Sequence, residues 1–399
     1  MVLCLGEEMV DSVSKNDCCG CEACSQACPV HCIDMREDKE GFLFPKVDAS
    51  RCLKCGKCTK VCPVLNDTQR QKPNASYAYR SNDEELLKKT SSGGFFTAAA
   101  EKVLAIDGVV FGAAFNEKNE VVHAYVESSD ELDSLRRSKY VQSRVGNAFV
   151  RCKRFLDDGR KVLFCGTPCQ IRALKLFLGR EYASLTTIDF VCHGVPSPGV
   201  YRRYLEELAK KKDRVLSDLH DVNFRDKGLG YAYSFSFSFS FSSSFFRENP
   251  KENIFLKGFL ADLYLRRSCH NCKAKGFSSG ADYTMCDFWT VEKFLPGFAD
   301  KAVPGVSQVF VFNDKLDLFG VNGTNKVCKL DLKQKGIVQK WALQSVPMTR
   351  HRAIFYESQV AGARVADSVM AGCETTMFER FVSSARRVVV WALKKIGAK

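Results

Sequence analysis

The chain has no uninterrupted apolar run approaching the roughly 18 residues that a membrane-spanning helix needs. Its opening segment, Met1 to Lys15, carries Glu7, Glu8 and Asp11 and lacks the long apolar core of a secretory leader. No nucleic-acid-binding motif accompanies the excess of 59 Lys and Arg over 46 Asp and Glu, a formal charge of +13. These absences argue against a transmembrane, exported or nucleic-acid-binding chain. A moderately basic surface suits acidic redox partners or phosphate-bearing cofactors instead. Cysteine is abundant, with 20 residues. In a chain without a leader, that number predicts a reducing cytoplasm in which thiolates stay available to iron. At 399 residues, with 45% hydrophobic and 26% charged side chains, the chain is long enough for two or three domains with real cores.

Residues 18 to 62 carry one cysteine pattern twice. Cys18, Cys21, Cys24 and Cys28 precede Pro29, and Cys52, Cys55, Cys58 and Cys62 precede Pro63. Three cysteines two apart on a tightly turning loop can point their sulfurs at three irons of one cubane. The fourth, before proline, leaves in another direction and serves the other cluster. The spacing therefore predicts one [4Fe-4S] cluster on Cys18, Cys21, Cys24 and Cys62 and a second on Cys52, Cys55, Cys58 and Cys28. Zinc, which prefers two separated Cys-x2-Cys pairs, and a disulfide framework are the rivals that two full copies disfavour. Cys19 and Cys32 fit neither register. The segment, assigned to residues 1–70, resembles a bacterial-type two-cluster ferredoxin. A hairpin is expected between its copies, with a turn at Asp38 to Gly41 and a strand at Phe42 to Phe44, and a polar linker from Asn66 to Asn74 follows.

Beyond the linker, strands and helices alternate, which predicts an α/β class: an α+β core with a mixed sheet, beside the small ferredoxin domain. Tyr77 to Tyr79, Val109 to Phe115, Val121 to Glu127, Leu185 to Phe190 and Val306 to Asn313 read as strands. Thr97 to Ile106, Gly199 to Lys212 and Asp331 to Trp341 read as helices. Small residues Ser91, Ser92, Gly93 and Gly94 open the first of these helices, where exposed N–H groups and the helix dipole favour an anion. Lys161 to Phe164 is a buried strand, Cys165 to Gln170 a tight loop and Ile171 to Leu178 a helix. A strand, a glycine turn and a helix make a usual ligand site, so Gly166, Thr167 and Pro168 are candidate cofactor contacts. Lys139, Arg225 and Lys227 are candidate partners for a phosphate or carboxylate. Ser234 to Phe241 alternates serine with phenylalanine and predicts a half-buried strand. The tail, residues 346–399, ends in an amphipathic basic stretch, Phe378 to Lys399, expected to pack as a terminal helix.

Taken together, Ser91 to Phe96, Lys139 to Ser143, Cys165 to Gln170, Cys192 to Pro198 and Asp282 to Trp289 resemble the coenzyme F-420 hydrogenase/dehydrogenase beta-subunit family. The resemblance covers residues 75–345, taken as parts 75–155 and 156–345. It implies an oxidoreductase with FAD that exchanges hydride with a soluble small molecule and passes electrons to a redox partner protein or ferredoxin. It brings Lys139, Tyr140 and Gln142 into the expected cofactor site. It also implies a third [4Fe-4S] cluster, carried by position onto Cys169, Cys192, Cys269 and Cys272. Cys165 and Cys286 are competing ligands, and a zinc site of the same residues is the alternative. His193 is the candidate proton relay, or else a structural hydrogen bond in its turn. The rival functions are a ferredoxin-dependent reductase of another acceptor, for instance one serving polysaccharide synthesis, and a non-catalytic electron-transfer subunit.

Overall fold

A computed structural model describes residues 9–67, 69–227, 234–240, 245–299, 305–319 and 325–374. The expected basic terminal helix therefore lies outside the described residues. The ferredoxin segment has the predicted hairpin: β1 (Ile33–Glu37) pairs antiparallel with β2 (Leu43–Val47). Asp38 closes its turn by accepting from the Glu40 and Phe42 amides at 3.0 and 3.2 Å.

The core is built from β3 (Ala75–Ser81), β4 (Val109–Phe115), β5 (Val121–Val126), β6 (Val162–Gly166) and β7 (Leu185–Phe190). A small sheet of β8 (Leu219–Asn223), β9 (Phe235–Phe239) and β10 (Phe245–Glu248) follows. Then come β11 (Tyr283–Asp287), β12 (Ser307–Val311) and β13 (Asn325–Lys329). The main sheet has eight strands in the order β13-β3-β12-β11-β7-β6-β4-β5. Its centre, β4, β6, β7 and β11, is parallel, and the remaining pairs are antiparallel. Both faces are covered, as parallel strands require. Helices Ala148–Asp157 and Pro168–Leu178 bury Phe149, Ile171 and Leu174 with Phe111 and Phe164 on one side. Helix Phe95–Leu104 buries Phe95, Ala99 and Val103 on the other.

Three sequence expectations change. The loop expected over Cys165 to Gln170 shrinks to one residue, because Cys165 and Gly166 finish β6 and Pro168 begins the helix. Thr167 caps that helix in a box with Gln170, whose side-chain oxygen accepts from the Thr167 amide at 2.9 Å. The helix expected over Asp331 to Trp341 is replaced by turns, and only Lys340–Leu343 is helical. The Ser/Phe strand is β9, but it is buried on both faces rather than one. Phe235, Phe237 and Phe239 join a second core with Phe224, Phe255 and Phe355, built from helices Pro198–Lys211, Ile254–Leu260, Arg350–Val360 and Val365–Cys373. On its other face Ser238 Oγ donates to Asp221 Oδ2 at 2.6 Å.

The ferredoxin segment is bolted to this core by buried polar groups. Glu40, 4% exposed, lies between Arg352 and Arg267, with closest contacts of 2.5 Å to each. Glu22 accepts from the Val145 amide at 2.8 Å, and Gln26 Oε1 accepts from the Phe149 amide at 3.0 Å, at the start of helix Ala148–Asp157. Arg266 donates to the Cys18 and Leu43 carbonyls at 2.7 and 2.9 Å and stacks over Phe44 at 4.3 Å. Gly41 and Gly199 meet backbone to backbone: a Cβ on Gly199 would fall 2.5 Å from the Gly41 Cα, so no side chain fits at this seam.

Candidate redox site

The ends of the parallel strands are where an α/β sheet opens a crevice. Here Gly166 ends β6, Cys192 to Val195 follow β7, and Asp287 to Trp289 lie where the chain leaves β11. Two cavities share this edge. The larger, about 550 Å³, lies within the size range of cofactor sites. Its wall includes Ser91, Ser92, Gly94, Lys139, Tyr140, Gly166, Thr167 and Trp289. The N-terminus of helix Phe95–Leu104 opens on it through Gly94, Phe95 and Phe96, a setting that favours an anion. Tyr140 stacks on Phe259 at 5.0 Å and meets Phe224 edge-on at 5.7 Å. Phe224 in turn packs on Phe235 of β9 at 5.1 Å, so the Ser/Phe strand supports an aromatic wall of the cavity from behind.

Not every expected cofactor residue reaches this space. Gly93 lies against backbone, where an added Cβ would stand 2.6 Å from the Ser307 nitrogen, so its role is close packing. Gln142 Nε2 donates to the Cys19 carbonyl at 2.9 Å, and its oxygen accepts from Arg266 at 3.1 Å, which makes it a tie to the ferredoxin segment. Pro168 lines the smaller cavity instead. Arg225 and Lys227 line neither. Arg225 binds Asp287 at 2.8 Å, the Tyr140 hydroxyl at 3.1 Å and the Ser91 carbonyl at 3.0 Å. Lys227 binds the Leu87 and Ser92 carbonyls at 2.5 and 3.2 Å. Both hold the Ser91 to Gly94 turn in place. Lys139 does line the large cavity, with Nζ donating to the Arg136 carbonyl at 2.6 Å. Burial, then the Arg137 charge, draws its ammonium down to about 7.

The smaller cavity is lined by Cys169, Cys192, Cys269 and Cys272, thiols from three separate stretches of chain. Burial pushes Cys269 to about 12 and Cys272 to about 11 and raises Cys192 as well. Such thiols ionise only when a cation joins them, the usual linkage between thiolate ligation and metal. Among the described residues no three His, Cys, Asp or Glu side chains close on a single ion. A tetrahedral zinc would need sulfurs about 3.8 Å apart, given its ~2.3 Å bonds. A cubane spreads its four cysteine sulfurs more widely than a single zinc does, and four cysteines lining one cavity supply the donors it needs.

Cys19 is the residue that sequence reasoning left over. It lines the same cavity, within hydrogen-bonding reach of both Cys169 and Cys21. The signal was its position beside Cys18, which gains meaning only once the ferredoxin segment is docked. Cys32, the other spare, stands 3.4 Å from Cys28 Sγ. Cys165 and Cys286 line the large cavity rather than the thiol cluster. Residues Cys192 to Val195 line both cavities and so form the wall between them. His193 sits in that wall with Nε2 2.6 Å from Asp262 Oδ1 and its ring edge-on to Trp341 at 5.5 Å.

Residues 159–328 match the family described as the C terminus of the coenzyme F420 hydrogenase/dehydrogenase beta subunit. The chain carries this beta-subunit domain. Residues 17–66 and 48–105 match 4Fe-4S dicluster domains. These overlap, and no cysteine lies between Cys62 and Cys152, so they describe one segment, with ten cysteines, that holds two [4Fe-4S] clusters. The ferredoxin segment and the beta-subunit domain together make this an electron-transfer oxidoreductase chain. No curated protein matches it. Among solved structures it is similar to a chain of the F420-reducing [NiFe] hydrogenase complex from Methanosarcina barkeri, studied by xenon derivatization. The identity is 17% over 65% of this chain and 83% of that one, with a TM-score of 0.43. Among the described residues no helix of the beta-subunit domain or its neighbours is long and apolar enough to cross a membrane.

Proposed function

We propose that the chain converts two-electron hydride exchange in the large cavity into single-electron flow through three [4Fe-4S] clusters. The observation that carries this reading is the shared wall: Cys192 to Val195 face the large cavity on one side and four clustered thiols on the other. The donor set fits a third cluster on Cys169, Cys192, Cys269 and Cys272. The large cavity, with its aromatic wall and a helix N-terminus, fits FAD. When bound, a flavin supplies hydride exchange with a substrate and single-electron exchange with a cluster. The chain's own residues do the rest. Tyr140 and Phe259 form an apolar wall that excludes water, and the start of helix Phe95–Leu104 orients an anionic phosphate group. His193, held by Asp262, presents its ring at the wall where a proton would be exchanged with solvent. Cys19 lines the thiol cavity within reach of both Cys169 and Cys21, and so links that cavity to the first ferredoxin loop.

Anaerobic purification with quantification of iron, sulfide, zinc and flavin tests this. About twelve irons and one FAD per chain are expected. About eight irons and no flavin after reconstitution would overturn the converter and leave a docking subunit with two clusters. Turnover with a deazaflavin, as against other hydride carriers, decides between the family's named coenzyme and a different acceptor.

The buried lysine gives the site a pH dependence. Lys139 is charged below about 7 and neutral above it, and the groups around it are Arg137, Asp133 and Cys165. An anionic flavin nucleotide should bind more weakly as pH rises through 7, by up to about tenfold per unit. Fluorescence titration between pH 6 and 9 reads this, and Lys139→Met should flatten the curve. The sign for stability is the same in origin: the folded chain disfavours the charged lysine, so this group's penalty is full below 7 and fades as pH climbs toward 10.5.

A further inference from the structure

The two cluster-binding loops differ in charge and in exposure. The first, residues 16–28, contains Asp17 and Glu22 and no lysine or arginine. Its Cys21, Cys24 and Cys28 are buried, and it faces the core through Glu22 and Gln26. The second, residues 49–66, contains Arg51, Lys54, Lys57 and Lys60 and has acidic residues only at its borders, Asp48, beside Arg51, and Asp67. All four cations are exposed, and so is Cys55. Leu53, between them in sequence, is 64% exposed. An exposed apolar side chain flanked in sequence by like charges, beside a proposed cluster ligand, is the composition of a transient interface, in which the rim steers and the centre touches.

We infer that the Arg51 to Lys60 loop is the docking surface for a small acidic one-electron carrier protein, which exchanges electrons with the cluster on Cys52, Cys55, Cys58 and Cys28. Charge complementarity selects the occupant. A patch of four cations raises the encounter rate of an acidic protein and repels a basic one. The buried first cluster has no such access, so the exposed cluster is the port. The step is simple in balance: a reduced carrier gives one electron to the oxidised cluster, and no bond forms or breaks. The inference names the partner for the relay proposed above, but its test reads only the two ferredoxin clusters and does not need flavin.

The experiment is stopped-flow reduction of the anaerobic full chain by a reduced acidic two-cluster ferredoxin, followed as bleaching of cluster absorbance. The second-order rate should fall at least about tenfold between 0.05 and 0.5 M salt, since the screening length shrinks several-fold over that range. The triple variant Lys54→Glu, Lys57→Glu, Lys60→Glu should lose at least about tenfold at low salt and gain rate with salt, while a neutral small-molecule reductant reduces it at the wild-type rate. Iron and sulfide counts and the midpoint potential of the variant are measured alongside. If the triple variant loses iron, Lys60→Glu alone, outside the Cys52 to Cys58 loop, should still reverse part of the salt slope. A wild-type rate indifferent to salt, or iron-replete variants reduced as fast as wild type, would overturn the inference. Preference for anionic vesicles or nucleic acid over the acidic protein would overturn it too.

Discussion

Replacing Cys192 by serine should lower the iron content from about twelve to about eight per chain while leaving both ferredoxin clusters in place. Reduction of a one-electron dye by a hydride donor should fall by on the order of 10²-fold, because Cys192, a ligand in the proposed set, also forms the wall between the two cavities. Cys192 and His193 line the thiol cavity and the large cavity at once, whereas Cys269 and Cys272 line only the former. Lys275 donates to the Cys192 carbonyl and to the Trp341 carbonyl, the latter at 2.6 Å, so the segment is held from behind and should keep its course in the variant. Cys269→Ser should remove the same four irons with less effect on flavin content. The check is iron and flavin analysis together with the paramagnetic signals of the reduced chain. Retention of about twelve irons in Cys192→Ser would assign the fourth ligand to Cys19, the other thiol in that cavity, and overturn the set proposed.

Arg352→Ala should loosen the ferredoxin hairpin by about 3–5 kcal/mol, the usual cost of stripping one partner from a buried ion pair. Glu40 and Arg352 are both about 5% exposed as side chains, and the pair makes two hydrogen bonds, of 2.5 and 3.1 Å. Arg267, 40% exposed, is a weaker substitute. Native-state hydrogen exchange at the β1 and β2 amides reads the opening directly, and protection there should drop while the β6 and β7 amides stay protected. A double replacement, Glu40→Leu with Arg352→Met, should cost less than either single change, because no charge is left buried alone. Equal loss in all three variants would mean that shape rather than charge holds the seam.

The same pair sets an acid limit. Burial alone would raise the Glu40 carboxyl, but Arg352 and Arg267 hold it at about 2 against an ordinary 4.5. A depressed carboxyl stabilises fully above 4.5, and its contribution is lost as pH falls toward 2. Docking of the hairpin should therefore be indifferent to pH through the neutral range.

The two-cluster segment was legible because its chemistry is local: two-residue spacing on a turning loop can aim three sulfurs at one cubane whatever the rest of the chain does. The strands of the parallel centre were legible for a similar reason, since short apolar runs such as Val162 to Phe164 can only be buried. The α/β class followed from their alternation with helices. What surrounds these runs was not legible. The Ser/Phe strand β9 reads as one-sided from its period, yet Ser236 and Ser238 are buried as well, Ser238 against Asp221. Arg225 and Lys227 read as ligand partners because charge in sequence carries no address. Folding commits them to Asp287 and to backbone carbonyls behind the cavity. Gln142 and Cys19 acquire their places only when the ferredoxin segment docks, since each touches a group more than a hundred residues away. The cysteine spacing thus determined, by itself, that the chain carries two clusters and moves electrons. Tertiary structure alone decided that four distant thiols face one cavity, that one segment divides it from a cofactor-sized space, and which cysteine loop meets solvent. Those are facts about convergence across the sheet edge, and no local rule of spacing encodes them.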